Sequence, residues 1–386
     1  MYIEKTGRGT KSSEPESGDG SITNSLKFIT AYGKIQKEWR IGMKKANTIG
    51  LLYFIIHFLI EITSYYVVFS YYDSVYIALF ALVYDTLAFV PEGLYGILND
   101  IGIKIDFDIV GGLISLAAVL MMFFSIPPML IVITVAIGNG MIHVQGAEMT
   151  LRTSEGKMFP SALFVSGGAF GVALGRILAS VKVPVFIVLI THILMIIPIL
   201  LVRFQKANVN EGTLNEFNYS IPKRNAAIVV TLATFVVIVR SYMGYVIPVE
   251  WYDNSYLSLI LVFSSMGIGK ALGGLLIDKI GMWRTILIST FGSLPFLIIG
   301  NTIIPFSLIG LLLFSMTMAV ALGLIVSVMQ NYPGVGFGFT TIGLFAGALI
   351  SAFIMPEGFV AKSILVTALT VVSLVFLSYI SRKNKG

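Results

Sequence analysis

Gly274-Leu275-Leu276-Ile277-Asp278-Lys279-Ile280-Gly281-Met282-Trp283-Arg284 closes one long apolar run and opens the next. An earlier stretch, Gly96-Ile97-Leu98-Asn99-Asp100-Ile101-Gly102-Ile103-Lys104, does the same. Gly96, Leu98 and Asp100 recur 178 residues later as Gly274, Leu276 and Asp278, and Ile126-Pro127 recurs as Ile304-Pro305. A chain that repeats a membrane hairpin at half its length is built from two similar halves, and such halves usually rock against each other around a central site. The repeat therefore predicts the architecture of a transporter.

Composition agrees. Charged residues are 12% of the chain and hydrophobic residues 56%, against about 25% charged in a soluble domain, so most of the chain belongs in lipid. The absence of cysteine removes disulfides, zinc clusters and thiol catalysis. The net charge of +6 does not point to nucleic acid, because of where the charges fall. Only Lys182 and Lys362 lie in one set of alternate loops, and Arg176, Arg240 and Lys270 lie within apolar runs. Every other Lys and Arg is in a tail or in the opposite set of loops. This positive-inside pattern places both termini in the cytoplasm, and so requires an even number of spans in the cell membrane.

Apolar runs of about 20 residues, enough to cross the hydrocarbon core, give twelve spans. They fall at roughly 46–70, 75–98, 107–125, 127–149, 159–181, 184–204, 226–248, 255–277, 284–302, 305–330, 335–355 and 363–381. The predicted organisation is a cytoplasmic tail (1–45), a six-helix half (46–204), a polar linker (205–225) with Lys206, Glu211, Glu216, Lys223 and Arg224, a second six-helix half (226–381) and a short tail (382–386). Tyr65, Tyr66, Tyr71, Tyr72 and Tyr76, and again Trp251, Tyr252 and Tyr256, mark the outer interface, where rings with one polar end are favoured. No short apolar leader precedes the polar start. Residues 1–24 read as disordered. Beyond them two readings stand: Phe28, Tyr32, Ile35 and Trp39 could form an interfacial amphipathic helix, or Met43-Lys44-Lys45 is an ordinary bacterial start and the first 42 residues are an extension.

Gly274, Leu276, Asp278, Lys279, Gly281 and Arg284 match the loop signature of the major facilitator superfamily, which the chain resembles over residues 46–381. The first copy has one residue fewer between Asp100 and Gly102 and lacks the basic residue after the aspartate. The resemblance implies an all-α membrane fold of twelve helices in two pseudo-symmetric halves, with helices 1, 4, 7 and 10 lining a central cavity and a monomeric working unit. A closer likeness is to the fosmidomycin-resistance efflux branch. It rests on Gly138-Asn139-Gly140-Met141-Ile142-His143, Ser154, the run Ser166 to Gly175, and His57-Phe58-Leu59-Ile60-Glu61. Glu61 stands where that branch has Asp, and Val144 and Arg176 where it has prolines.

Ionisable residues inside the bilayer cost about 2.5–3.5 kcal/mol on insertion scales and tend to be paired or functional. His57 and Glu61 share a face of helix 1. Arg240 in helix 7 shifts back by 178 to Ile62, beside Glu61. With His143 these residues are expected to form a cavity cluster, in which Glu61 beside Arg240 either couples a proton to conformation or forms a static ion pair with satisfied histidines. Asp85 is a second proton-site candidate. Glu92, near the first loop, is expected to pair with the loop's basic residues, and Glu148 with Arg152. Lys270 is expected to snorkel, and His192 to be structural.

The cytoplasmic gate is assigned to Glu92, Gly96, Asp100, Gly274, Asp278, Lys279, Gly281 and Arg284, with each aspartate either making a breakable charge-assisted bond or capping a turn. Gly93, Gly167, Gly171, Gly175, Gly269, Gly273, Gly343 and Gly347 read as joints at the seams between halves, helix 5 on 8 and helix 2 on 11. No nucleotide-binding loop and no His-Glu-x-x-His or other catalytic arrangement is present, so no enzyme activity, cofactor or metal is expected. The expected partners are a small-molecule substrate, protons and the lipid bilayer. Export of a small amphiphilic compound or drug leads; import of a metabolite, or a transporter-like sensor, is the alternative.

Overall fold

The structure is a computed structural model that describes residues 45–71, 75–103, 105–206, 214, 216–219, 222, 224–253 and 255–382. The amphipathic segment at 28–39, Tyr72, Glu211, Lys223 and the last four residues lie outside these.

Twelve helices make up nearly all of it. They are α1 (Lys45–Phe69), α2 (Ile77–Asp100), α3 (Phe107–Met121), α4 (Pro128–Arg152), α5 (Phe159–Ser180), α6 (Val185–Phe204), α7 (Ala226–Val246), α8 (Tyr256–Ile280), α9 (Met282–Ile299), α10 (Ile304–Val328), α11 (Pro333–Phe353) and α12 (Phe359–Ser381). All but α3, which has turned out of its helix by Met122, are long and apolar enough to cross a membrane. In lipid every backbone N–H and C=O needs an internal partner, so apolar runs of this length become helices. Four of them are interrupted: α2 at Val90–Pro91, α6 at Met195, α9 between Ser289 and Leu294, beside Gly292 and Pro295, and α10 at Met316, where no Pro or Gly is adjacent. In α2 and α9, Pro lacks the N–H that the preceding turn would use.

The halves meet along two lines, α8 on α5 and α11 on α2. At the α2–α11 line the backbones nearly touch: a Cβ on Gly96 would stand 2.3 Å from the carbonyl carbon of Gly334, and one on Gly338 2.4 Å from Gly93 Cα. At the α5–α8 line Gly274 faces Ala162 and Met158. The other expected seam glycines sit elsewhere. Gly167, Gly171 and Gly175 face the carbonyls of Phe54, Phe58 and Ile62 on α1; Gly269 and Gly273 face α10; Gly343 and Gly347 face α7. Each of these joints is internal to one half. A stripe of small residues fixes how close a neighbour comes, but not which helix that neighbour is.

The apolar core is asymmetric. At the end carrying Asp100 and Asp278, one continuous cluster takes residues from both halves, among them Tyr53, Leu151 and Met158 with Ile277, Ile325 and Phe337. At the opposite end the core divides between the halves. Val67, Tyr84 and Val135 in one cluster, and Tyr66, Ala179 and Val188 in a smaller one, belong to the first half; Val239, Tyr242 and Leu311 form a cluster of the second. The linker adds to the first end: Asn218 N donates to Gly156 O (2.8 Å), Leu214 N to Gln330 O (3.1 Å) and Tyr219 Oη to Gly323 O (2.9 Å), tying both halves.

Gly167 offers a direct stability test. An alanine Cβ there would meet Phe54 O at 2.3 Å, a backbone atom that moves only if α1 moves. Gly167→Ala should cost about 1–3 kcal/mol, as overpacking does, and lower the thermal midpoint in detergent. Gly244→Ala, with nothing within 4 Å, should leave the midpoint unchanged or slightly raised; equal midpoints for the two variants would refute the packing.

Candidate functional site

Where the core divides, a cavity of about 760 Å³ lies between the halves. Most of its wall is apolar, from residues such as Phe89, Phe314 and Phe337. Its polar wall residues include His57, Glu61, Asp85 and His143 on the first half, with Arg176, and Arg240 and Lys270 on the second. The lining runs from His143 and Phe89, in mid-helix, to Tyr252 and Lys362 at the end away from the aspartates. Helices α1, α4, α7 and α10 contribute, as the resemblance implies, and so do α2, α5, α8 and α11.

The densest chemistry is on α1 and α4. Glu61 is buried with one carboxylate oxygen facing two imidazoles: His143 Nε2 is 3.0 Å from Glu61 Oε1, and His57 Nε2 is 3.6 Å away. Tyr84 Oη donates to the other oxygen, Oε2, at 3.4 Å. Each ring is held from behind. His57 Nδ1 donates to the carbonyl of Phe164 at 2.9 Å, which leaves Nε2 without a hydrogen in the neutral ring. His143 Nδ1 donates to Glu92 Oε1 at 2.9 Å. The two rings meet edge to face at 4.4 Å. Local sequence explains the fit. His57 and Glu61 are one helical turn apart, and α5 presents Gly168 and Gly171, where a Cβ would stand 2.4 Å from His57 Nε2 and 2.6 Å from Glu61 Cβ. The bare α5 backbone makes room for both side chains.

Two expectations are corrected. Arg240 does not pair with Glu61: it is buried, its Nε and Nη2 have no hydrogen-bond partner, and its Cζ stands 5.1 Å over the ring of Phe314. The repeat register places Arg240 opposite Ile62, and one residue along a helix turns a side chain by roughly 100°. Glu92 is fully buried and bonds His143 rather than any basic loop residue; it starts the second segment of α2, just past the break at Pro91. Asp85 and Lys270 line the cavity. His192 sits away from it, with Nε2 donating to Gly112 O (3.0 Å) and Nδ1 3.1 Å from Thr63 Oγ1.

The two loop aspartates do equivalent jobs across the interface. Asp278, on the second half, accepts from the backbone N–H groups of Met158 (2.8 Å) and Phe159 (2.9 Å), where α5 of the first half begins. Asp100, on the first half, accepts from Gly334 (3.2 Å) and Val335 (2.9 Å), in the first turn of α11. A carboxylate at a helix N-terminus meets unpaired N–H donors and the positive end of the dipole. Arg152 Nη2 reaches Asp100 at 3.3 Å while its Nε bonds Glu148 at 2.6 Å. Lys279 and Arg284 are exposed, and Gly281 supplies the positive φ (+88°) that ends α8. Both aspartates thus cap helix starts, and Asp100 also meets a basic side chain, that of Arg152. Pro160 and Pro333, in the first turns of α5 and α11, are the sequence signal for those starts.

No known protein family model matches the chain, and no curated protein matches it in sequence. Among solved structures it is similar to the E. coli fucose:proton symporter FucP, with a TM-score of 0.59 and 13% identity over 89% of this chain and 100% of that one. A second structure of FucP, described as a major facilitator superfamily transporter in the outward conformation, aligns with a TM-score of 0.54 and 14% identity over 85% of this chain and 99% of that one. The fold is that of the major facilitator superfamily transporters.

Because the chain has no cysteine, a single Leu344→Cys in the cavity wall can report access to the cavity. Removing both caps (Asp100→Ala with Asp278→Ala) should raise its labelling from the aspartate end by a membrane-impermeant maleimide about tenfold, the factor that about 1.4 kcal/mol of lost closure produces. Labelling at the wild-type rate would mean that the caps do not hold this end shut.

Proposed function

We propose that the chain is a secondary transporter that works by alternating access, moving a small molecule with a proton as the coupling ion through the cell membrane. The observation that carries this reading is the cavity between the halves, closed at one end by reciprocal aspartate caps and a shared core and lined at mid-depth by a buried carboxylate between two imidazoles. The positive-inside distribution of the loop charges supports a cytoplasmic aspartate end and cytoplasmic termini, which on this reading makes the conformation outward-facing. Rocking the halves breaks both caps and opens the cavity inward.

Glu61 is the proposed coupling group. It is reachable from the cavity, and its His57 and His143 neighbours can take up or release protons as the site changes surroundings. Arg240, unpaired on the opposite wall, is the proposed contact for an acidic group of the substrate. The likeness of spans 4 and 5 to the fosmidomycin-resistance branch favours export of a small amphiphilic compound. Proton-coupled uptake is the second reading, favoured by the symporter named above. Uptake or extrusion by sided vesicles distinguishes them.

The test is proton release on substrate addition, with purified protein in weakly buffered detergent and a panel of antibacterials and metabolites. Wild type should release protons with at least one compound and Glu61→Gln should not. Release that survives in Glu61→Gln would move the coupling role to Asp85, and binding without any proton signal would leave a uniporter.

A further inference from the structure

We infer that His57 Nε2, His143 Nε2 and Glu61 Oε1 form a binding site, open to the cavity, for a divalent first-row transition-metal ion of the zinc class. One donor atom from each residue lies within 4.8 Å of the others. Metal–ligand bonds of about 2.0–2.2 Å at tetrahedral angles hold neighbouring ligand atoms about 3.3–3.6 Å apart. The His57–Glu61 separation of 3.6 Å already fits, and the His143–Glu61 separation of 3.0 Å needs to open by a few tenths of an ångström.

Three further observations favour a metal over a simple hydrogen-bonded triad. Both imidazoles are anchored through Nδ1, to the Phe164 carbonyl and the Glu92 carboxylate, which aims both Nε2 atoms at Glu61. Metal-ligating histidines are held in this way, by a carbonyl or carboxylate on the far nitrogen. His143 Nε2 is buried 3.0 Å from Glu61 Oε1; with Nδ1 donating to Glu92, the neutral ring presents Nε2 as a lone pair facing a carboxylate, two acceptors that a metal between them would bridge. The three ligands also sit on the cavity wall, so further coordination positions face space that water or a second molecule can fill, as in zinc sites with three protein ligands.

Two imidazoles and one carboxylate suit zinc, cobalt, nickel or copper better than magnesium or calcium, which favour all-oxygen shells. Two carboxylates, Glu61 directly and Glu92 through His143, offset the ion's charge. Arg240 and Lys270 belong to the other half, and neither forms an ion pair with Glu61. Binding would expel any proton the three ligands carry, so metal and proton compete for one site. Passage of the ion as cargo rests on the transporter reading; binding does not.

The experiment is a Co²⁺ titration of the purified full chain in detergent, carrying a tag without histidine, read by visible absorption and checked with Zn²⁺ by thermal shift. One equivalent should give the intense d–d bands of low-coordinate Co²⁺, and Zn²⁺ should raise the thermal midpoint. His57→Ala, His143→Ala and Glu61→Gln should each weaken binding at least tenfold, and Glu92→Gln should weaken it about 10–100-fold by releasing the ring of His143. His192→Gln, which alters the one remaining histidine, should keep the spectrum; this separates the site from adventitious binding. Elution volumes equal to wild type show that the variants are folded. Absence of the bands in wild type, or bands that persist in the His57→Ala/His143→Ala double variant, would overturn the site. Proton release by an organic compound in metal-free protein that shows no Co²⁺ bands would sink the metal site and keep the transporter reading. Stoichiometric Co²⁺ binding with no movement of any solute into vesicles would keep the site and sink that reading.

Discussion

A carboxylate in the middle of a membrane helix has to be given partners by other helices, and much of the first half is arranged around that need at Glu61. Left unpaired in hydrocarbon, such a group costs several kcal/mol. His143 from α4 and Tyr84 from α2 come to it, and His57 comes from its own helix. The imidazoles then need partners of their own, which fixes Glu92 on α2 and the Phe164 carbonyl on α5. The network closes only because α5 is bare at Gly168 and Gly171, where a methyl group would collide with His57 and Glu61. Small residues that look like lubricant between helices are, at these two positions, the room that the polar network occupies.

The same reasoning explains why one end of the molecule is shut. Two aspartates accept four backbone N–H bonds across the interface, and a buried bond to a charged group contributes about 1.5–3 kcal/mol net of exchange with water. Both aspartates are only half-buried, so the bias is a fraction of that sum. About 1.4 kcal/mol of it shifts a two-state equilibrium tenfold. The apolar cluster shared by both halves at that end adds to the bias, and the linker contacts at Gly156, Gly323 and Gln330 add again. At the other end the clusters of the two halves do not merge, so among the described residues no shared core opposes separation there.

Much of this was legible in the chain because the bilayer leaves few solutions. A 20-residue apolar run can only be a helix, and the helix ends fall within a few residues of the runs. The His57–Glu61 pair follows from i,i+4 spacing, and the 178-residue repeat pointed to both aspartates. What was not legible depends on rotation and on which helix is the neighbour. Arg240 maps to Ile62, one residue from Glu61, and that single step turns it to a different face. Gly269 and Gly347 carry the spacing of a close joint, yet pack on α10 and α7, because spacing records the closeness of a contact and not its partner. Glu92 is near the Asp100 loop in sequence, but the break at Pro91 and the backbone contact at Gly93–Gly338 set its segment so that its carboxylate meets α4.

The two walls of the cavity differ in kind, and that difference supplies a route from binding to motion. The first half offers the carboxylates Glu61 and Asp85, two imidazoles and Arg176; the second offers Arg240, Lys270 and Lys362 but no carboxylate. Arg240 has no hydrogen-bond partner for Nε or Nη2. A ligand can shift a conformational equilibrium only by as much as its affinities for the two states differ. On the proposed transport cycle, a molecule with an acidic group for Arg240 and a donor or bound cation for Glu61 would contact both walls at once, and those contacts would shorten if the open end closed. Its binding energy would then be larger in the closed arrangement than in the open one, and that surplus would be set against the aspartate caps at the far end. A ligand touching only one wall would bind without this leverage, so on this proposal engagement of both halves, rather than affinity, separates cargo from a bystander.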